Sequence, residues 1–171
     1  MNILRYLKPE SICLELQTVA AEVPPDETEA QRERRLVSDK ENVLQELADI
    51  LDRSGQITNP TKFYKDLVNR ERKATTAIAP GLAIPHVRTL QAKGFVMGFA
   101  RSRAGLPFGS LDGGLTHLFF MLSSPPYDDK LYLKIYREFA EMIQHEWIVE
   151  SFMDAEDEQA VLNILRGYVH Q

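Results

Sequence analysis

Gly81-Leu-Ala-Ile-Pro-His86 is a short apolar run, opened by a glycine and closed by a proline and an imidazole. Leu82, Ala83 and Ile84 have the character of a buried strand bounded by turn residues, so 82–86 reads as a strand. Gly81 permits a tight approach into it, and Pro85 fixes the backbone so that His86 is presented at the strand's carboxyl end. In open α/β sheets that end is where ligands bind. A neutral imidazole there serves as nucleophile, general base or metal ligand. The metal role is the weakest of these, because no second histidine or paired carboxylates stand at ligand spacing nearby.

Outward from this run, helices and short strands alternate. On the N-terminal side, Asn59-Pro60 opens a helix with Phe63, Tyr64, Leu67 and Val68 on its apolar side, and Arg70-Glu71-Arg72-Lys73 closes it with charge suited to the helix dipole. Before it, Ser38-Asp-Lys-Glu41 reads as a capped start for a helix carrying Val43, Leu44, Leu47, Ile50 and Leu51 and ending near Ser54-Gly55. Residues 19–36, with paired prolines and many charges, read as a mobile surface loop or partly helical insertion. Residues 3–8 suit a helical turn and Ser11 to Leu16 a short strand. On the C-terminal side, Phe95 to Ala100 and His117 to Leu122 read as strands, followed by helices over Asp128 to Gln144, Trp147 to Met153 and about Asp157 to Val169. The pattern predicts an α/β fold, a three-layer α/β/α sandwich with a central mixed, mostly parallel sheet flanked by helices.

The chain has 171 residues, of which 44% are hydrophobic, which suits one compact domain. The formal net charge is −5 and no segment is dominated by lysine or arginine, so no footprint for nucleic acid is expected. No apolar stretch approaches the length of a membrane span, so no membrane insertion and a cytoplasmic location are expected. Cys13 is the single cysteine, which excludes an internal disulfide and a cysteine metal cluster within one chain. The four histidines differ. His145 and His170 are expected at the surface, and His117 as a hydrogen-bonded imidazole at the edge of the core.

The stretch R-E-R-K-A-T-T-A-I-A-P-G-L-A-I-P-H, Arg70 to His86, resembles the signature of the enzyme IIA domain of the mannitol/fructose type in the bacterial phosphoenolpyruvate-dependent phosphotransferase system, a family that includes nitrogen-related regulatory IIA proteins. The likeness continues through L-P-F-G-S-L-D-G-G, Leu106 to Gly114, then H-L-F-F-M-L-S-S-P, and into the helical end; the opening L-K-P-E-S-I-C-L-E-L resembles the family's start. The resemblance implies one type-2 IIA domain over 1–171, interrupted by the 19–36 insertion. It implies His86 as phosphoryl acceptor, Arg70 as the guanidinium that stabilises phosphoryl charge, and Thr75 and Thr76 as phosphate-binding hydroxyls. Arg88, just past His86, is a candidate for binding the phosphate or a partner's acidic groups, with a plain surface role the alternative. No cofactor and no metal are implied. The implied partners are the histidine-containing phosphocarrier protein as donor and, beyond it, a separate IIB domain or a regulatory target. Phe108, Leu111 and Met97 are candidates for an apolar docking patch around His86, with core packing the alternative for each.

Two departures stand out. The family's second histidine, near the start of the helix after the third strand, falls at Tyr132, whose hydroxyl donates a hydrogen bond but carries no positive charge. The loop A-T-T-A-I-A-P replaces a glycine-rich run, with Ala74, Ala77 and Ala79 at places where glycine could adopt positive φ, and Pro80 removing an N–H. Three readings follow: a phosphocarrier passing the group onward, a regulatory module whose target affinity depends on phosphorylation, and a scaffold that has lost phosphotransfer.

Overall fold

The computed structural model describes residues 3–169, so His170 lies outside the described residues. After a 3-10 turn at Ile3–Tyr6 the elements run β1 (Leu7–Cys13), α1 (Glu29–Asp52), α2 (Pro60–Lys73), β2 (Leu82–Ala83), β3 (His86–Arg88), β4 (Val96–Leu106), β5 (Thr116–Ser124), α3 (Asp129–Met142), α4 (Glu146–Asp154) and α5 (Glu158–Val169). The sheet is five-stranded, in the order β1, β4, β5, with β2 and β3 one after the other along the far side of β5. Among the described strands of this sheet, only β4 and β5 pair antiparallel. The architecture is the α/β sandwich expected from the sequence.

Strand alternation divides the core into two halves. Leu118, Phe120 and Leu122 of β5 face one side, with Met97 and Phe99 of β4, and pack under α3, α4 and α5. Phe119 and Met121 face the other, with Val96 and Ala100, and pack under α1 and α2. Met97 and Phe108, candidates for a docking patch, lie inside these cores; Leu111 alone of that trio is exposed. Gly98 explains how closely α1 is seated: a Cβ there would stand 2.8 Å from Met121 Cε and 3.0 Å from Leu51 Cδ2. Arg101 is buried and donates to the carbonyls of Leu14, Phe152, Met153 and Ala155, so its guanidinium ties β4 to the C-terminal end of α4.

The sequence placed the first helix start at Ser38, and the structure corrects it to Glu29. Thr28 Oγ1 accepts from Gln31 N–H while Gln31 Oε1 accepts from Thr28 N–H, a reciprocal cap that starts the helix two and a half turns earlier. Arg35, bonded to Glu27 at 2.6 Å, braces this extension. None of its residues before Asp39 is buried, so it has no apolar face to read. Within 19–36, residues 19–28 form a non-helical strap and the rest is helix. Glu46 and Asp39 hold the strap by accepting the N–H groups of Gln17, Thr18 and Ala21. Strands also differ in extent: β1 lies earlier than expected, and β4 runs six residues beyond Ala100. The strand read over 82–86 is two short pieces, because Pro85 has no N–H for the ladder and Ile84 N–H turns instead to Thr76 O at 3.1 Å.

Candidate functional site

The interruption at Ile84-Pro85 is what exposes an imidazole. His86 and Arg88 share the α3-facing side of β3, since Val87 between them enters the α1/α2 core. At the carboxyl ends of β2 and β3 an open cleft of ≈ 830 Å³ lies between α2 and α3, and His86, Arg70, Arg88 and Tyr132 line it together with Lys62 and Lys73. Four of the residues singled out from the sequence thus meet in one place.

His86 is half-buried, and its two ring nitrogens have different surroundings. Nδ1 lies 2.7 Å from Ile84 O, a carbonyl that only accepts, so Nδ1 carries the proton. Nε2 lies 3.2 Å from Arg70 NH2, a group that only donates, so Nε2 presents its lone pair to the cleft. Burial pushes the imidazole below its ordinary value, and the charges of Arg70 and Arg88 act in the same direction; the Ile84 bond and Glu71 oppose them. The ring is therefore neutral at pH 7, the form in which an imidazole can act as a nucleophile.

Arg70 comes from the last turn of α2, where Asn59 caps the opposite end and Pro60 takes the first helical position. Its NH1 donates to Ala74 O at 3.0 Å, which leaves NH2 aimed at Nε2. Arg88 is paired with Asp129 at the start of α3 and lies over the Tyr132 ring, 5.6 Å from its centroid. Tyr132 is buried, with its ring centroid 5.9 Å from that of His86. Burial pushes its hydroxyl far above the ordinary phenol range, so it stays protonated.

Thr75 and Thr76 do not join the cleft lining. Thr76 is buried, giving its N–H and hydroxyl to the Glu71 carboxylate at 2.7 and 2.8 Å. Thr75 Oγ1 lies 3.3 Å from Lys40 Nζ and accepts from Ala77 N–H at 3.2 Å. The hydroxyl and N–H of Thr76 face inward because a buried carboxylate demands donors. Among the described residues only glycines have positive φ, so Ala74, Ala77 and Ala79 are accommodated without left-handed backbone, and the loop reverses at Gly81, φ 71°.

Sequence reading missed Tyr136, Asp129 and Glu71. The Tyr136 ring meets His86 edge-on at 5.2 Å, one helical turn beyond Tyr132. Spacing of three and four residues puts Asp129, Tyr132 and Tyr136 on one face of α3, a signal present in D-K-L-Y-L-K-I-Y once that face is known to meet the cleft. His117 braces β4, with Nδ1 3.1 Å from both Ser102 O and Arg103 O, as a core-edge histidine would. His145 is exposed.

The model of the family described as "Phosphoenolpyruvate-dependent sugar phosphotransferase system, EIIA 2" matches residues 30–168. The fructose-specific EIIABC component of Bacillus subtilis is 31% identical over 130 residues, covering 76% of this chain and 20% of that protein, so the chain spans about a fifth of that relative's length. A nitrogen regulatory protein of Bradyrhizobium diazoefficiens is 31% identical over 130 residues, covering 75% of this chain and 84% of that protein. The crystal structure of the nitrogen regulatory protein IIA-Ntr from Neisseria meningitidis superposes with a TM-score of 0.76 at 24% identity, covering 95% of this chain and 98% of that one, a likeness of fold. Together with the cleft at Pro85-His86, the family match over 30–168 establishes that this chain belongs to the EIIA type-2 family of the phosphotransferase system.

Proposed function

We propose that this protein is a phosphocarrier that takes a phosphoryl group onto Nε2 of His86 from the phosphohistidine of the histidine-containing phosphocarrier protein. The observation that carries the reading is the fixed tautomer, with a lone pair on Nε2 directed at a guanidinium inside a cleft rimmed by cations. The Nε2 lone pair attacks phosphorus as the donor's N–P bond breaks, and that bond's electron pair returns to the donor ring. Both rings keep the proton on their other nitrogen. Positive ring charge therefore passes from donor to acceptor with the phosphoryl group, and Ile84 O stabilises it on His86. Arg70 meets the charge on the phosphoryl oxygens, and Arg88 is the second cation at hand. Tyr132, neutral, offers one hydroxyl donor where charge is absent.

Onward transfer goes to the cysteine of a separate IIB domain: the thiolate forms an S–P bond while the N–P bond breaks and its pair returns to Nε2. The naming of the Bacillus relative as an EIIABC component supports such a partner. A second reading is favoured by one observation, the uncharged Tyr132-Tyr136 face opposite His86. On that reading the phosphoryl group is held as a signal, and its roughly −1.5 to −2 charge changes the affinity for a regulatory target. The nitrogen regulatory relative supports it.

The test is incubation with phosphoenolpyruvate, enzyme I and the phosphocarrier protein, followed by intact mass under alkaline conditions, beside His86→Ala. Gain of one phosphoryl group by the wild type alone is the expected result. No gain leaves a scaffold without phosphotransfer. Challenge of the phosphorylated protein with IIB then separates the two readings, discharge marking the carrier and retention the signal.

A further inference from the structure

Arg70 and Glu71 are neighbours in the last turn of α2, yet they point in opposite senses: Arg70 lines the cleft, while Glu71 is buried. A buried carboxylate is costly unless paired and hydrogen-bonded. Here Oε1 accepts from Lys40 Nζ at 2.9 Å and from Thr76 N–H at 2.7 Å, and Oε2 accepts from the Thr76 hydroxyl at 2.8 Å. Lys40, from α1, also lies 4.7 Å above the Phe108 ring and so joins α1, α2 and the segment after β4. None of these groups touches the cleft.

The contacts continue toward the imidazole. Thr76 O, on the residue that Glu71 holds by two bonds, accepts from Ile84 N–H at 3.1 Å. Ile84 O then accepts from His86 Nδ1 at 2.7 Å. The N–H and C=O of one peptide-linked residue, Ile84, thus connect the buried carboxylate's partner to the ring. On the other side Arg70 is tied to Ala74 O and reaches Nε2. One turn of α2 therefore governs both nitrogens of His86, Nε2 through Arg70 directly and Nδ1 through Glu71, Thr76 and Ile84.

We propose that Glu71, supported by Lys40, is a positioning residue for phosphoryl acceptance: it fixes the Thr76–Ile84 backbone that keeps the proton of His86 on Nδ1 and the lone pair on Nε2. This rests on His86 being the phosphoryl acceptor. The carboxylate touches neither the ring nor the cleft and gives the ring no proton. Beyond the charge it exerts on the imidazole, its effect is geometric, and in-line transfer is sensitive to displacements of about 1 Å.

The experiment compares wild type, Glu71→Ala and Glu71→Gln, each labelled with ¹⁵N at histidine, by the nitrogen shifts of His86 and by the rate of phosphoryl acceptance. Wild type shows one tautomer, protonated at Nδ1. Folded Glu71→Ala shows both tautomers, and its acceptance rate falls about 10- to 100-fold at an unchanged half-saturating concentration of the donor phosphocarrier. Glu71→Gln, which keeps the shape and a bond to each Thr76 group, restores the single tautomer and most of the rate. A folded Glu71→Ala protein that keeps the single tautomer overturns the proposal, whether or not its rate has changed. If Glu71→Ala does not fold, Thr76→Val, which removes the hydroxyl and keeps the main-chain bond, is read by the same two criteria. Should wild type accept no phosphoryl group, the carrier function fails and the role in acceptance fails with it, while the tautomer comparison still decides whether Glu71 positions the ring.

Discussion

The two sides of β5 differ sharply. Toward β4 it makes an antiparallel ladder that is continuous from Val96–Ser123 to Arg101–Leu118 and shifts register before Leu106–Thr116, with aromatic side chains packed on both faces. Toward β2 and β3 it pairs with two short pieces separated at Ile84-Pro85. The continuous side gives its backbone hydrogen bonds to the fold. The interrupted side frees a carbonyl, Ile84 O, for an imidazole. On the proposed phosphocarrier function, stability and chemistry are thus carried by opposite edges of one strand, and the two should respond independently to substitution.

The largest expected effect is on the continuous side. The Phe120 ring meets those of Phe99, Phe139 and Phe152 at 5.3, 5.2 and 5.0 Å. Phe120→Ala should cost about 3–5 kcal/mol in chemical denaturation, whereas His86→Ala should leave the midpoint nearly in place. Comparable losses from both would erase the division. On the interrupted side, Arg70→Ala should slow phosphoryl acceptance about 10²- to 10³-fold in quench-flow, with little change in stability. Arg70→Lys should recover only part of the rate, because a compact ammonium lacks the rigid fork that meets Ala74 O and Nε2 through separate nitrogens; full recovery would show that charge alone matters.

A smaller effect is expected from pH. The folded protein holds the His86 proton less readily than an ordinary imidazole, near 6.5. The unfolded chain therefore binds more protons as the pH drops below that value. The stability contributed by neutral His86 is present above 6.5 and is lost as pH falls through the lowered folded value. Thermal unfolding at pH 7 and about pH 5 should show a steeper decline for wild type than for His86→Gln. Equal declines would mean that the ring is not held neutral. Pro85→Ala should have the smallest effect on stability, about 0.4–1 kcal/mol lost through a freer unfolded chain. A gain in stability would show instead that the missing N–H is a defect in the ladder.

The division was legible in outline. Gly81 and Pro85 punctuate an apolar run, so the strand and the residue it presents could be read locally, and α2 announced itself through Asn59-Pro60. Arg70 and Tyr132 were reached through the family resemblance, and both stand in the cleft beside His86. What could not be read depends on contacts distant in sequence. Thr76 looks like a loop hydroxyl until Glu71 is seen buried beneath it, and Tyr136 looks like one more aromatic on an amphipathic helix. The early start of α1 was hidden for a different reason: its first turns are held by a cap and ion pairs, and periodicity of apolar residues cannot reveal a helix whose outer turns bury nothing.

Pro85 has one more consequence. The outer side of β2 and β3 is where this sheet ends, and a sheet's end is a template on which another chain can add a strand. A proline between two short strands breaks the row of amide donors that such a visitor would need. The residue that sets out the imidazole also denies a second copy of the chain a backbone edge on which to polymerise.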